Sequence, residues 1–183
     1  MVAPYLVKRR RAGGYGRAAL VAAIAAAFLS ALPIAPPASA DEIAYNGGVA
    51  PGTIIVRTNE RRLYLVLSFG RALRYPVGVG RAGRQWAGTS FIDGKHILPN
   101  WSPPAAVKRA QPNLPDVIAG GSKANPMGAA ALTLAGGSYA IHGTNAPDSI
   151  GGFVSYGCIR MYNKDIMDLY RRVGVGTPVV VTR

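Results

Sequence analysis

The sequence predicts a mostly β fold, a sandwich or partly closed barrel of short antiparallel strands with one capping α-helix. Three observations lead there. Short alternating or β-branched runs recur between glycine and proline breaks. Only one stretch, near the carboxyl end, places apolar residues at helical spacing. The chain has 183 residues, 49% of them hydrophobic, which is enough for one domain with a real core and not for two.

In order, residues 41–52 are polar and glycine-rich and read as a short flexible leader to a folded domain over 53–183. Residues 53–57 form a β-branched run, a first strand. Over 62–68, Leu63, Leu65 and Leu67 alternate with Arg62, Tyr64 and Val66, the period-two signature of a half-buried strand. Phe69, Gly70 and Arg71 supply a turn, and 72–79 returns with Leu73, Tyr75, Val77 and Val79 alternating, so the three segments make an antiparallel meander.

From 80 to 128 repeated prolines break any long element, leaving a short strand over 89–92 and one turn of helix over 105–110. Trp86, Phe91 and Trp101 argue that this segment packs, as a folded loop beside a functional site. His96 lies within it and reads as a surface loop residue. Runs at 129–134 and 138–142, separated by Gly136-Gly137, form a hairpin. Asn163 is a natural N-cap for a helix whose face carries Ile166, Leu169, Tyr170 and Val173, with Gly174 as its stop. Residues 177–182 close the chain as a strand, with Pro178 near its start.

The amino terminus has a separate character. A basic stretch from Lys8 to Arg17 precedes an alanine-rich apolar run over 18–35 and the small-residue pattern Ala38-Ser39-Ala40. That order predicts a secretory signal peptide over 1–40, cleaved after Ala40, with Pro33, Pro36 and Pro37 interrupting the run against an uncleaved anchor. The expected place of the protein is therefore the periplasm or cell envelope, with membrane contact only through the export signal. Formal charge is +13, of which residues 1–40 supply five cations and no acid, so the rest carries +8. Those cations are scattered, with no dense block or aromatic stripe, which excludes a nucleic-acid partner and fits a carboxylate-rich cell wall. No metal-ligand spacing or phosphate loop is present.

The chemistry concentrates between Tyr139 and Asn163. Cys158 is the only cysteine, and His142, one of two histidines, stands sixteen positions before it. A lone cysteine is more often a small buried hydrophobe than a nucleophile. In an exported chain, though, a single cysteine has no internal partner, which favours a free reactive thiol or an intermolecular bridge. A thiol reacts as thiolate, so it needs a nearby base, and His142 is the candidate. Gly157, directly before the thiol, leaves room for substrate, and the N–H groups of Gly157 and Cys158 are candidate oxyanion donors. Arg160 falls on the same side as Cys158 if the segment is extended, and suits a substrate carboxylate or the stabilisation of the thiolate.

The residues His142-Gly143-Thr144, the step to Cys158, and Ser155-Tyr156-Gly157-Cys158-Ile159-Arg160-Met161 resemble the L,D-transpeptidases with the YkuD-type catalytic domain, ErfK-like enzymes. The resemblance extends to Asn125-Pro126-Met127-Gly128-Ala129 and Asn163-Lys164-Asp165, and covers roughly residues 52–183. It implies the β architecture, a catalytic set of Cys158, His142 and Gly143, the last through a carbonyl that orients the imidazole, and no metal or organic cofactor. Arg160, Tyr156, Ser155, Thr144 and Tyr139 are the candidate substrate contacts. It also implies a reaction in peptidoglycan biosynthesis: a tetrapeptide stem acylates Cys158 with release of D-alanine and is passed to an amine of another stem, or of a lipoprotein. One position departs, since many members carry a second histidine where Tyr156 stands.

Two other classes compete. Water as acceptor would give an L,D-carboxypeptidase, and a degenerate site would leave a basic cell-wall-binding module. Papain-like peptidases place Cys before His, the reverse of the order here. Sortase-like enzymes place their arginine much farther from the cysteine than Arg160.

Overall fold

The computed structural model describes residues 40–68, 70–137 and 139–183. The expected signal peptide lies outside the described residues except for Ala40, as do Phe69 of the first turn and Ser138 of the hairpin. The strands are β1 (Asp41–Ala44), β2 (Ile54–Arg57), β3 (Arg62–Val66), β4 (Arg71–Pro76), β5 (Val79–Gly80), β6 (Gly88–Ile97), β7 (Ala130–Leu134), β8 (Ala140–His142), β9 (Phe153–Ser155), β10 (Ile159–Arg160) and β11 (Pro178–Thr182). Two α-helices, α1 (Ala105–Ala110) and α2 (Asn163–Arg172), and a 3₁₀ turn over Pro147–Ser149 complete the described elements.

Nine strands form one ladder in the order β1-β4-β3-β2-β11-β6-β7-β8-β10, and β5 pairs with β9. The ladder is open, so the mostly β expectation holds in its sandwich-like form and no barrel closes. Strand β6 belongs to both halves: Gly88 to Phe91 pair with β11, and Ile92 to Ile97 pair with β7, with a register shift between Ile92 and Gly94. A bulge bends its strand. Both halves feed one core, with Ile54, Val56, Leu63 and Tyr75 from one side and Leu132, Leu134, Ile141 and Ile159 from the other. Ile166, Leu169 and Val173 of α2 join that core, as the helical spacing predicts.

Three features differ from the sequence reading. The ladder is not wholly antiparallel: β2 with β11, β8 with β10 and β5 with β9 run parallel, each joined through a long crossover that no local pattern announces. Residues 41–44 are an edge strand on β4 rather than flexible chain. The reason is that the second face of the meander is apolar too: Ile55, Tyr64, Val66 and Ala72 form a small second cluster covered by Ile43, Tyr45 and Val49. The expected short strand over 89–92 is ten residues long, so exposed His96 sits in a strand, opposite Ala131.

The remaining difference concerns Asn163, which does not cap α2. The cap position is Tyr162, without a side-chain hydrogen bond, and Asn163 Oδ1 accepts from the N–H groups of Ala129 and Thr144, each at 3.0 Å. At the other end, Lys95 Nζ of β6 donates to the carbonyls of Tyr170 and Val173, placing a cation on the carboxyl end of the helix.

Candidate active site

The site is built on the parallel pair β8 and β10. Its register places Ile159 opposite Ile141 and Arg160 opposite His142. Successive residues of a strand face opposite sides. Ile141 and Ile159 therefore point into the core, where both are buried. His142, Arg160 and, one step before β10, Cys158 share the other face. Cys158 is a free cysteine, partly exposed.

His142 is 4% exposed, and its Nδ1 lies 2.6 Å from the carbonyl oxygen of its neighbour Gly143. A carbonyl only accepts, so Nδ1 carries the proton and Nε2 keeps its lone pair. Asn163 secures the backbone around this contact by holding Thr144 and Ala129. The approach is close enough that a Cβ on Gly143 would come within 2.3 Å of Asn163 Oδ1, and one on Gly128 within 2.2 Å.

The turn before Cys158 is held just as tightly. Gly157 has φ +125°, and a Cβ there would sit 2.2 Å from Cε1 of Tyr139. The Gly157 N–H donates to Ser155 Oγ at 3.0 Å, and the Ser155 hydroxyl donates to the Cys158 carbonyl at 2.6 Å. On the other side, Trp86 Nε1–H donates to the Gly157 carbonyl at 2.9 Å. The Trp86 ring stacks on Tyr139 with centroids 4.9 Å apart and planes within 5°.

Cys158, His142, Arg160, Ser155 and Tyr156 line a cavity of about 70 Å³, closed by Trp101, Pro104, Val107, Pro126 and Met127. It abuts a cavity of about 210 Å³ that shares Trp101, Val107, Pro126, Tyr156 and Arg160. The proline-rich segment thus supplies the cover, with Trp101 as its aromatic member, whereas Phe91, expected to pack, is exposed. Tyr156 takes Arg81 onto its ring at 4.1 Å and Arg84 at 5.6 Å. Arg160 Nε is buried without a hydrogen-bond partner. No carboxylate among the described residues forms an ion pair with Arg81, Arg84 or Arg160.

Electrostatically the imidazole and the thiol both rest uncharged. Burial, with a smaller contribution from the charge on Arg160, pushes His142 down to about 4 against the opposing pull of the Gly143 and Pro126 carbonyls. Burial also raises the Cys158 thiol, offset in part by a backbone hydrogen bond from Ala140 and by the charge on Arg160. A neutral imidazole that lines the same cavity as a neutral thiol has the protonation state a general base requires, and the two are not a preformed ion pair.

Several sequence assignments change in this geometry. The Gly157 N–H, expected to face an oxyanion, is occupied by Ser155, which leaves the Cys158 N–H of the expected pair. Ser155 is buried, and its hydroxyl is engaged in bridging the turn although the residue also lines the thiol cavity. Thr144 lies apart from the thiol, lining a separate cavity of about 450 Å³, and its hydroxyl accepts from the Ala146 N–H. Tyr139 supports Gly157 from behind and is absent from the lining of the thiol cavity. Asn163 and Trp86 are the residues sequence reasoning missed: the first reads as a cap, the second as packing. Among the described residues there is no cluster of three or more His, Cys, Asp or Glu to hold a metal, and no helix long and apolar enough to cross a membrane.

Comparison with known proteins matches residues 51–181 to the family model of the L,D-transpeptidase catalytic domain, YkuD. The probable L,D-transpeptidase YbiS of Escherichia coli is 38% identical over 135 residues, covering 69% of this chain and 43% of YbiS, so the chain spans under half the length of that relative. The putative L,D-transpeptidase YkuD of Bacillus licheniformis is 36% identical over 137 residues, 75% of this chain and 69% of the relative. In fold, the catalytic domain of the Enterococcus faecium L,D-transpeptidase superposes with TM-score 0.57 at 18% identity over 74% of this chain and 100% of that one. L,D-transpeptidase 3 of Mycobacterium tuberculosis gives 0.54 at 16% identity over 72% and 60%.

Proposed function

Given that the chain belongs to the family of L,D-transpeptidase catalytic domains, we propose that it cross-links peptidoglycan by acyl transfer through a thioester on Cys158. His142 Nε2 takes the thiol proton as sulfur attacks the carbonyl between the diamino acid and the terminal D-alanine of a tetrapeptide stem. The C–S bond forms, the carbonyl electrons move to oxygen, and the Cys158 N–H receives that oxyanion. Collapse re-forms the carbonyl and breaks the C–N bond, while the imidazolium gives its proton to the departing amine. An acceptor amine then gives its proton to His142 and attacks the thioester; the C–S bond breaks, and the sulfur takes that proton from the imidazolium. Arg160 holds a stem carboxylate: its cation lines the cavity, and no side-chain carboxylate among the described residues pairs with it.

The observation that carries this reading is the hydrogen bond from His142 Nδ1–H to Gly143, which fixes the tautomer that leaves Nε2 as base in the cavity that also holds the thiol. The reaction belongs outside the cytoplasm, so residues 1–40 are assigned as the export signal and the periplasm or cell envelope as the site of action. The acceptor is a second stem, or a lipoprotein lysine in an anchoring reaction.

Incubation with purified muropeptides, followed by mass spectrometry, tests the proposal. The expected product is a Cys158 adduct equal to the stem less D-alanine, absent in Cys158→Ala, followed by dimeric stems. Tripeptides alone would make water the acceptor, and no adduct at all would refute the enzymatic reading.

A further inference from the structure

We propose that Trp86 is a positioning residue for the oxyanion-binding amide, which its Nε1–H orients and polarises from the side away from the substrate. The inference rests on the acyl-transfer reading above and adds to it a residue in no contact with the reacting atoms.

The contact is specific in kind. Trp86 donates to the Gly157 carbonyl at 2.9 Å, and that carbonyl belongs to the same amide as the Cys158 N–H. A peptide unit is planar, and no cis bond occurs among the described residues. In a trans amide the C=O and N–H point in opposite directions, so fixing one end aims the other. The Cys158 N–H therefore points away from the indole, and Trp86 does not line the thiol cavity. The bond also has an electronic effect. A donor on the carbonyl draws charge through the amide and makes its N–H a stronger donor, by roughly 10–30% per bond in condensed phase.

Nothing else in the turn does this work. Three successive amides meet there. The N–H of the first, at Gly157, is taken by Ser155 Oγ, and the carbonyl of the third, at Cys158, accepts from the same hydroxyl. Among the described residues, the middle amide is tied by no side-chain donor but Trp86. The indole is in turn held flat on Tyr139, whose ring fills the space a Gly157 side chain would need. Packing alone would be met by any flat ring on Tyr139. The N–H is what a packing role does not require.

The test replaces Trp86 in the full chain by Phe, and separately by β-(3-benzothienyl)alanine, which keeps the fused ring and exchanges N–H for sulfur. Acylation by a tetrapeptide stem should fall about tenfold in kcat with KM within about twofold, less than the 10²–10³ that follows direct loss of an oxyanion donor. Alkylation of Cys158 by iodoacetamide, which develops no oxyanion, should keep its wild-type rate. The thioester carbonyl stretch in isotope-edited infrared difference spectra should move to higher wavenumber. A benzothienyl variant with wild-type kcat and an unmoved stretch overturns the proposal, as does a parallel loss of alkylation, which would place the effect on the thiol. A wild-type chain that never forms the thioester overturns this proposal together with the reaction it rests on. A wild type that acylates beside an equally active variant overturns this one alone.

Discussion

If Cys158 is acylated as proposed, the burial of His142 makes the pH dependence of that step the most direct test of the mechanism. The imidazole sits at about 4 against an ordinary 6.5, chiefly through burial. At pH 5 an ordinary imidazole is neutral in about 3% of molecules and one at about 4 in about 90%, a roughly 30-fold difference in available base. Single-turnover acylation followed by quench and mass spectrometry from pH 3.5 to 8 should therefore hold its plateau to about pH 5 and fall below it. The same shift has a sign in stability. The unfolded imidazole takes its proton near 6.5 and the folded one near 4, so the contribution of neutral His142 is complete above 6.5 and lost as pH falls through that window, by about 3 kcal/mol in all. An acid limb centred near 6.5, or thiolate absorbance near 240 nm at neutral pH that disappears in Cys158→Ala, would refute the neutral-pair reasoning and restore an ion pair.

Three further outcomes follow from the same structure. Asp165 is 2% exposed with one carboxylate oxygen unpartnered, and burial raises it to about 6 from 3.8; its contribution is complete below 3.8 and lost as pH rises through 6, opposite to His142. Urea unfolding should thus find Asp165→Asn more stable than wild type at pH 7, by roughly 1–3 kcal/mol, with the gain vanishing near pH 4; an unchanged difference across that range would count against the assignment. Asn163→Ala removes the acceptor from two amides and should lower stability by about 2 kcal/mol and kcat by more than KM, with Asn163→Asp restoring both; thermal melts and steady-state kinetics decide it. Tyr156→His removes the ring under Arg81 and Arg84 yet leaves the chemistry of Cys158 in place, so dimeric stems should remain the products in muropeptide chromatography, and a switch between hydrolysis and cross-linking would show that this position selects the acceptor.

What the sequence made legible is what has a period or a short reach. The alternation of Leu63 and Leu65, the helical spacing of Ile166, Leu169 and Val173, and the single turn over Ala105–Ala110 all appear where the pattern places them. Strand β6 was half hidden because its bulge falls at Asp93-Gly94, where alternation breaks although pairing continues. Asn163 misleads for a chemical reason: its side-chain oxygen accepts amide N–H groups in a helix cap and here too, and only folding shows that the donors are Ala129 and Thr144. Gly157 stands where an oxyanion donor is expected, but its own N–H serves Ser155, and its lack of a side chain answers to φ +125° and the Tyr139 ring. A lone tryptophan carries no sequence sign of the carbonyl its N–H will meet.

The deeper constraint is register. Parallel strands cannot be joined by a tight turn, so the chain leaves β8 after His142, runs through the 3₁₀ turn and β9, and comes back to β10. The return is held from the side as well, since β9 pairs with β5 and Gly78 exchanges both backbone hydrogen bonds with Arg160. Ile141 and Ile159, paired and buried, decide which face turns inward. A slip of one residue would drive Arg160 into hydrocarbon and lift Ile159 out, so the apolar demand of the core is what sets thiol, guanidinium and imidazole on one face. The reactive geometry is in this sense a by-product of two isoleucines that never meet the substrate.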